Sequence, residues 1–123
     1  SGVEVEVQAI QVGPVVCLSN PAEYFVSYGL QLKKRSGFPM TFPVELANGC
    51  VGYVPDEEAF GPNGGGYETR LTSYSNLEIT AGTQFMNVGL ELAAKMKPAK
   101  LPERPNGPVG KPWAYGDQPP QLK

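Results

Sequence analysis

The chain has 123 residues, 41% of them hydrophobic, with twelve acidic against ten basic side chains and a net charge of −2. That length supports one domain with a single core. The acidic balance leaves no basic face for nucleic acid, and no apolar run reaches the roughly 20 residues that span a bilayer. No charged-then-apolar leader pattern opens the sequence. Histidine is absent altogether, and the two cysteines, Cys17 and Cys50, are too few for a disulfide framework and read as free thiols.

Val3, Val5, Val7 and Ala9 alternate with Glu4, Glu6 and Gln8, which predicts a half-buried strand over 3–12. Gly13-Pro14 turns the chain, and the apolar run 14–19 predicts a second strand, paired with the first as a hairpin. Asn20-Pro21-Ala22-Glu23 has the form of a helix start: Asn at the N-cap, Pro at the first position, Glu at the third. Phe25, Tyr28, Gly29 and Leu32 recur at helical spacing, and Lys33-Lys34-Arg35 suits the negative end of the dipole, so a helix is predicted over 21–35. A third strand follows over 41–47. Residues 56–60 read as one short helical turn, in which Asp56, Glu57 and Glu58 are solvated and complement the dipole. Thr80 is the expected cap of a last helix whose apolar stripe is Phe85, Val88, Gly89, Leu92 and Met96. Beyond the segment 1–97, residues 98–123 hold seven of the thirteen prolines and no helical or strand period. They read as an extended proline-rich tail, with Trp113 and Tyr115 as the anchors that would pin it.

The fold class is therefore α/β: a hairpin plus a βαβ unit with a C-terminal helix. The two strands of the βαβ unit should be parallel, with a right-handed crossover. Parallel strands need both faces covered, and two helices cover only one. The other face is expected to expose Val, Leu and Phe side chains unless the N-terminal portion of the chain's own precursor, or a homo-oligomer, covers it.

The same layout puts Glu23 just past the carboxyl end of one strand and Tyr53 just past the carboxyl end of the next. Open α/β sheets place their sites at that edge. Tyr53 lies within the run Glu45 to Asp56, just after Gly52, and Tyr67 follows Gly64-Gly65-Gly66, so both tyrosines are held on glycine-rich backbone with ring fixed and hydroxyl free. The triple glycine is not a phosphate loop, since no Lys-Ser/Thr pair follows it. A carboxylate and a phenol converging at such an edge can hold a cation such as Zn²⁺.

Three runs, Pro21-Ala22-Glu23-Tyr24-Phe25, Asn48 to Pro55 and Tyr67-Glu68, resemble the end of the catalytic domain of neutral/alkaline non-lysosomal ceramidases, the bacterial ceramidase-like proteins above all. The resemblance covers about residues 5–97 and is strongest over 44–68. Ala22 stands where the family often has glycine, and the loop between the two tyrosines is longer here. The resemblance implies that the chain is a fragment of a larger α/β catalytic domain, that Glu23 and Tyr53 are ligands of a Zn²⁺ ion and that two upstream histidines complete its shell. It implies that Tyr67 helps stabilise the oxyanion as metal-activated water hydrolyses an N-acyl amide, with a lipid-like substrate and a secreted or periplasmic setting.

Each of these residues also has a plainer role open to it. Glu23 can be the capping-box residue of its helix, Tyr53 a turn tyrosine over Pro55, and Tyr67 with Glu68 the packing and solvation of a loop. Two function classes stand side by side: part of a zinc-dependent amidohydrolase that is inactive as an isolated chain, or a non-catalytic α/β module used for interaction or assembly.

Overall fold

A computed structural model describes residues 2–104; the anchors Trp113 and Tyr115 lie outside the described residues. Five strands and two helices follow one another: β1 (Gln8–Val12), β2 (Val15–Ser19), β3 (Glu23–Tyr24), α1 (Val26–Arg35), β4 (Met40–Val44), β5 (Tyr53–Val54) and α2 (Ala81–Ala94). Short 3-10 turns occupy Glu57–Phe60 and Tyr67–Thr69. The hairpin and the βαβ unit are both present. β1 pairs antiparallel with β2 across Gly13, whose φ is +57°, and β2 pairs parallel with β4, giving the sheet order β1-β2-β4. The first strand is shorter than its alternation suggests, but Val5, Val7 and Ala9 do pack against the core, while Val3 is exposed.

Period-two alternation fixes the two faces of this sheet. Val16 and Leu18 point inward and are fully buried beneath Tyr28 and Leu32 of α1 and Phe85, Met86 and Ala93 of α2. Burying one such aliphatic side chain is worth about 1.5–3 kcal/mol. Helix α2 reaches the sheet closely at Gly89, where an added Cβ would already touch Leu32 and Leu18 at 3.7 and 4.0 Å. Phe85 and Gly89 of the predicted stripe are buried, together with Ala81, Gly82, Met86 and Ala93; Val88 faces solvent instead, and Met96 packs on the core from just past the helix end. Thr80 precedes the helix without making a side-chain cap. The opposite face carries Ile10, Cys17 and Phe42 as one cross-strand row and Val12, Val15 and Met40 as the next. Ile10, Val12, Met40 and Phe42 are exposed on it.

The predicted start of α1 needs correction. The helix begins at Val26, with Phe25 extended before it, and makes no side-chain cap. Asn20 caps no helix: its Oδ1 accepts from the Ala22 amide at 3.0 Å, closing a tight local turn around Pro21. Glu23 and Tyr24 are then drawn into a ladder, the Glu23 amide donating to Gly52 O and the Phe25 amide to Val54 O. The Asn20 amide, which a capping box would bond to the Glu23 side chain, donates instead to Val44 O at 3.0 Å, so the capping-box reading of Glu23 fails. At its other end the helix finishes as expected, with Lys33, Lys34 and Arg35 in the last turn and Gly37 in the left-handed region. Strand β4 also stops sooner than predicted, because Leu46 and Asn48 take positive φ and the chain loops out over 45–52 before β5. No helix among the described residues is long and apolar enough to cross a membrane.

Candidate functional site

Strands β3 and β5 form a two-residue parallel pair in which Glu23 opposes Tyr53 and Tyr24 opposes Val54. Tyr24 stacks on Tyr28 of α1 at 4.6 Å between ring centroids, with the ring planes nearly parallel, and lies tilted against Phe85 of α2. Its hydroxyl donates to Gly82 O at 2.6 Å. Tyr24 and the buried Val54 thus face the helices, and alternation turns Glu23 and Tyr53 together to the opposite side. The two residues, 30 positions apart in the sequence, share one face of a two-stranded sheet of their own, separate from the β1-β2-β4 sheet.

Tyr53 is held from its backbone outward. Its amide donates to Tyr74 O at 2.8 Å, and Gly52 before it sits at φ +83°. Around the ring stand two further tyrosines: Tyr67 edge-on at 5.2 Å and Tyr74 edge-on at 6.2 Å, themselves 6.4 Å apart. Edge-to-face packing at these separations suits the ring quadrupoles. Tyr67 reaches this place from its own 3-10 turn. Gly64 lies so close to the Glu57–Phe60 turn that a Cβ would fall 2.1 Å from Ala59 O, and Gly65 N donates to the same carbonyl at 2.8 Å. The Asp56 side chain caps that turn through the Ala59 amide and also accepts from Ser27 Oγ of α1 at 2.7 Å, so the acidic cluster serves the turn as expected. On the other flank Ser75 Oγ donates to Glu68 O, tying the Tyr67 turn to the Tyr74 loop.

The Tyr53 phenol is held above its ordinary ionisation range. Hydrogen bonding with the Tyr67 side chain is the main cause, partial loss of solvent the next, and the Glu23 carboxylate, as acceptor and as negative charge, the third. All three act by favouring the protonated phenol. Burial, reinforced by the neighbouring Tyr28, likewise raises Tyr24 on the helix side.

Glu23, Tyr53 and Tyr67 are therefore neighbours. Tyr74 joins them, and sequence reasoning missed it: it lies in a stretch without periodicity, Thr72-Ser73-Tyr74-Ser75, and only the close approach to Gly52 reveals its part. A carboxylate and a phenol on one face are oxygen donors of the kind Zn²⁺ accepts. They are two donors only: the chain has no histidine, and no group of three or more His, Cys, Asp or Glu stands together among the described residues. A small cavity of about 100 Å³ adjoins Tyr53, lined by Pro55, Phe60, Leu71 and Leu77 among others. Ligand pockets usually measure about 300–1,000 Å³. Cys17 and Cys50 are both free, the first half-buried and the second exposed. No protein-family model matches the chain, and no curated protein or solved structure matches it.

Proposed function

We propose that this chain is the part of a zinc-dependent amidohydrolase, resembling the neutral ceramidases, that contributes Glu23 and Tyr53 to the metal and Tyr67 to the reacting amide. The observation that carries the reading is the pairing of Glu23 with Tyr53 across β3 and β5, with Tyr67 edge-on to Tyr53. Two histidines from the N-terminal portion of the same precursor complete the ligand set. Bound there, Zn²⁺ supplies the Lewis acidity that activates water against an amide carbonyl. Glu23 offers a carboxylate oxygen and Tyr53 a phenolic one. The exposed Tyr67 hydroxyl donates to the carbonyl oxygen as negative charge develops on it. The substrate is an N-acyl amide of lipid-like character, and its pocket is built mainly by the precursor's other portion, since the cavity beside Tyr53 is small. A secreted or periplasmic setting goes with that family resemblance.

The test is hydrolysis of a long-chain N-acyl amide by a polypeptide that carries this chain together with its histidine-bearing portion. Chelation should abolish turnover and zinc should restore it. Tyr67→Phe should lower kcat by about 10²–10³, the usual effect of removing one oxyanion donor, with metal content unchanged. Turnover indifferent to chelation, or to Tyr67→Phe, would refute the reading.

One observation favours the second reading, a non-catalytic interaction module: the apolar outer face of the β1-β2-β4 sheet, where Phe42 is 48% exposed and Val12 69%. A surface of that kind marks contact with another segment or chain.

A further inference from the structure

The outer face of the three-stranded sheet presents Ile10, Val12, Cys17, Met40, Phe42 and Val44, with none of the helices over it. Cys17 lies at its centre, directly between Ile10 and Phe42. Three strands of five residues present roughly 250 Å² of sheet. A stable pair of proteins buries about 800 Å² on each partner, so this face alone is too small for a second copy. It is the right size for one extended segment.

The chain itself arrives at the rim of that face. After α2, Lys97 O accepts from Gln11 Nε2 at 2.8 Å, and the Ala99 amide donates to Gly13 O at 3.4 Å, in the turn that follows Val12. The fifteen residues from Ala99 to Trp113, fourteen steps of chain, are proline-rich. At about 3.1 Å per residue they span about 43 Å, against about 17 Å for a five-residue strand. Trp113 and Tyr115 are two positions apart, so a segment docked there as a strand presents both rings to the same side. Large aromatic surfaces are what an apolar sheet face with one central thiol accommodates.

We propose that the Pro112–Gly116 segment of this chain packs across the outer face of the β1-β2-β4 sheet, with Trp113 and Tyr115 over Cys17 and Phe42. The segment then supplies the second layer that the sheet otherwise lacks. The inference stands independently of the zinc reading.

The test uses the full chain and its own thiols. In a Cys50→Ser background, modification of Cys17 by Ellman's reagent should be slow, and Trp113→Ala with Tyr115→Ala should speed it about tenfold, as loss of a contact worth about 1.4 kcal/mol does. In a Cys17→Ser background the same pair should leave Cys50 unaffected. Both aromatic positions lie outside the described residues, and unchanged circular dichroism checks that the fold persists. Trp113, the single tryptophan, gives a second readout: its emission should be blue-shifted from that of N-acetyltryptophanamide and should move to the red in Phe42→Glu. A Cys17 rate indifferent to the aromatics, or a Trp113 emission equal to the free indole's, would overturn the proposal. So would protection that grows with protein concentration, which would assign the face to a second copy.

Discussion

A Cβ at position 52 would fall 2.2 Å from the carbonyl oxygen of Tyr74. Gly52 and Tyr74 are thus in backbone contact, at a residue whose φ is +83°. Two requirements meet there: a left-handed conformation and a space with no room for a side chain. Both serve the next residue, because the same Tyr74 carbonyl accepts the Tyr53 amide.

Gly52→Ala should therefore destabilise the fold by at least about 1–3 kcal/mol, the usual cost of holding a non-glycine residue in such a region, and should displace Tyr53 from Glu23. Urea denaturation measures the first effect. Gly13→Asn is the comparison, since Gly13 is left-handed at φ +57° but has open space around it; its cost should be far smaller, because Asn tolerates that conformation.

The helix side of β3 makes a separate prediction. Tyr24→Phe removes the hydroxyl bonded to Gly82 O and should cost about 1 kcal/mol. Gly82→Ala would place a Cβ 2.3 Å from the Tyr28 ring and should cost about 1–3 kcal/mol through overpacking. Because Tyr24 and Tyr28 are stacked, the two changes should be non-additive in a double-mutant cycle.

Much of this arrangement was legible from residues. Alternation in 3–9 and the apolar run 14–19 marked the hairpin, and the Tyr28/Leu32 spacing marked α1. The start of α1 was misread because Asn20-Pro21 suits a helix cap and a local turn equally well; the choice fell to Gly52 and Val54, whose carbonyls claim the amides of Glu23 and Phe25. Those long-range partners leave no local signal. The same holds for Tyr74, whose importance lies in what its carbonyl touches. Connectivity alone puts Glu23 and Tyr53 past the carboxyl ends of parallel strands, but the β3-β5 pair that makes them register partners has no signal in a stretch that reads as the start of a helix.

Stability should fall in alkali. Tyr24 and Tyr28 are raised chiefly by burial, and Tyr53 chiefly by hydrogen bonding with Tyr67. An unfolded phenol ionises near about 10. The folded values lie higher, so the unfolded chain releases protons first. The stability these three groups contribute is complete below that pH and is lost progressively as pH rises above it. Urea midpoints across the alkaline range, with tyrosinate absorbance followed in parallel, check the direction. Tyr53→Phe should flatten part of the slope.

The isolated chain should hold zinc poorly. Two oxygen donors fall short of the three protein ligands usual in catalytic sites, and the protonated Tyr53 phenol must also give up its proton to become a ligand. After incubation with Zn²⁺ and desalting, metal analysis should find no stoichiometric zinc. Retention of one equivalent would mean that a ligand set exists within this chain.

The most direct measurement is zinc content and amide hydrolysis together, in the polypeptide that joins this chain to its histidine-bearing portion, for Glu23→Gln and Tyr53→Phe. Each substitution should lower both zinc occupancy and turnover, and added zinc should restore part of the turnover. Full occupancy with full turnover in both variants would contradict the zinc reading and return Glu23 and Tyr53 to purely structural roles.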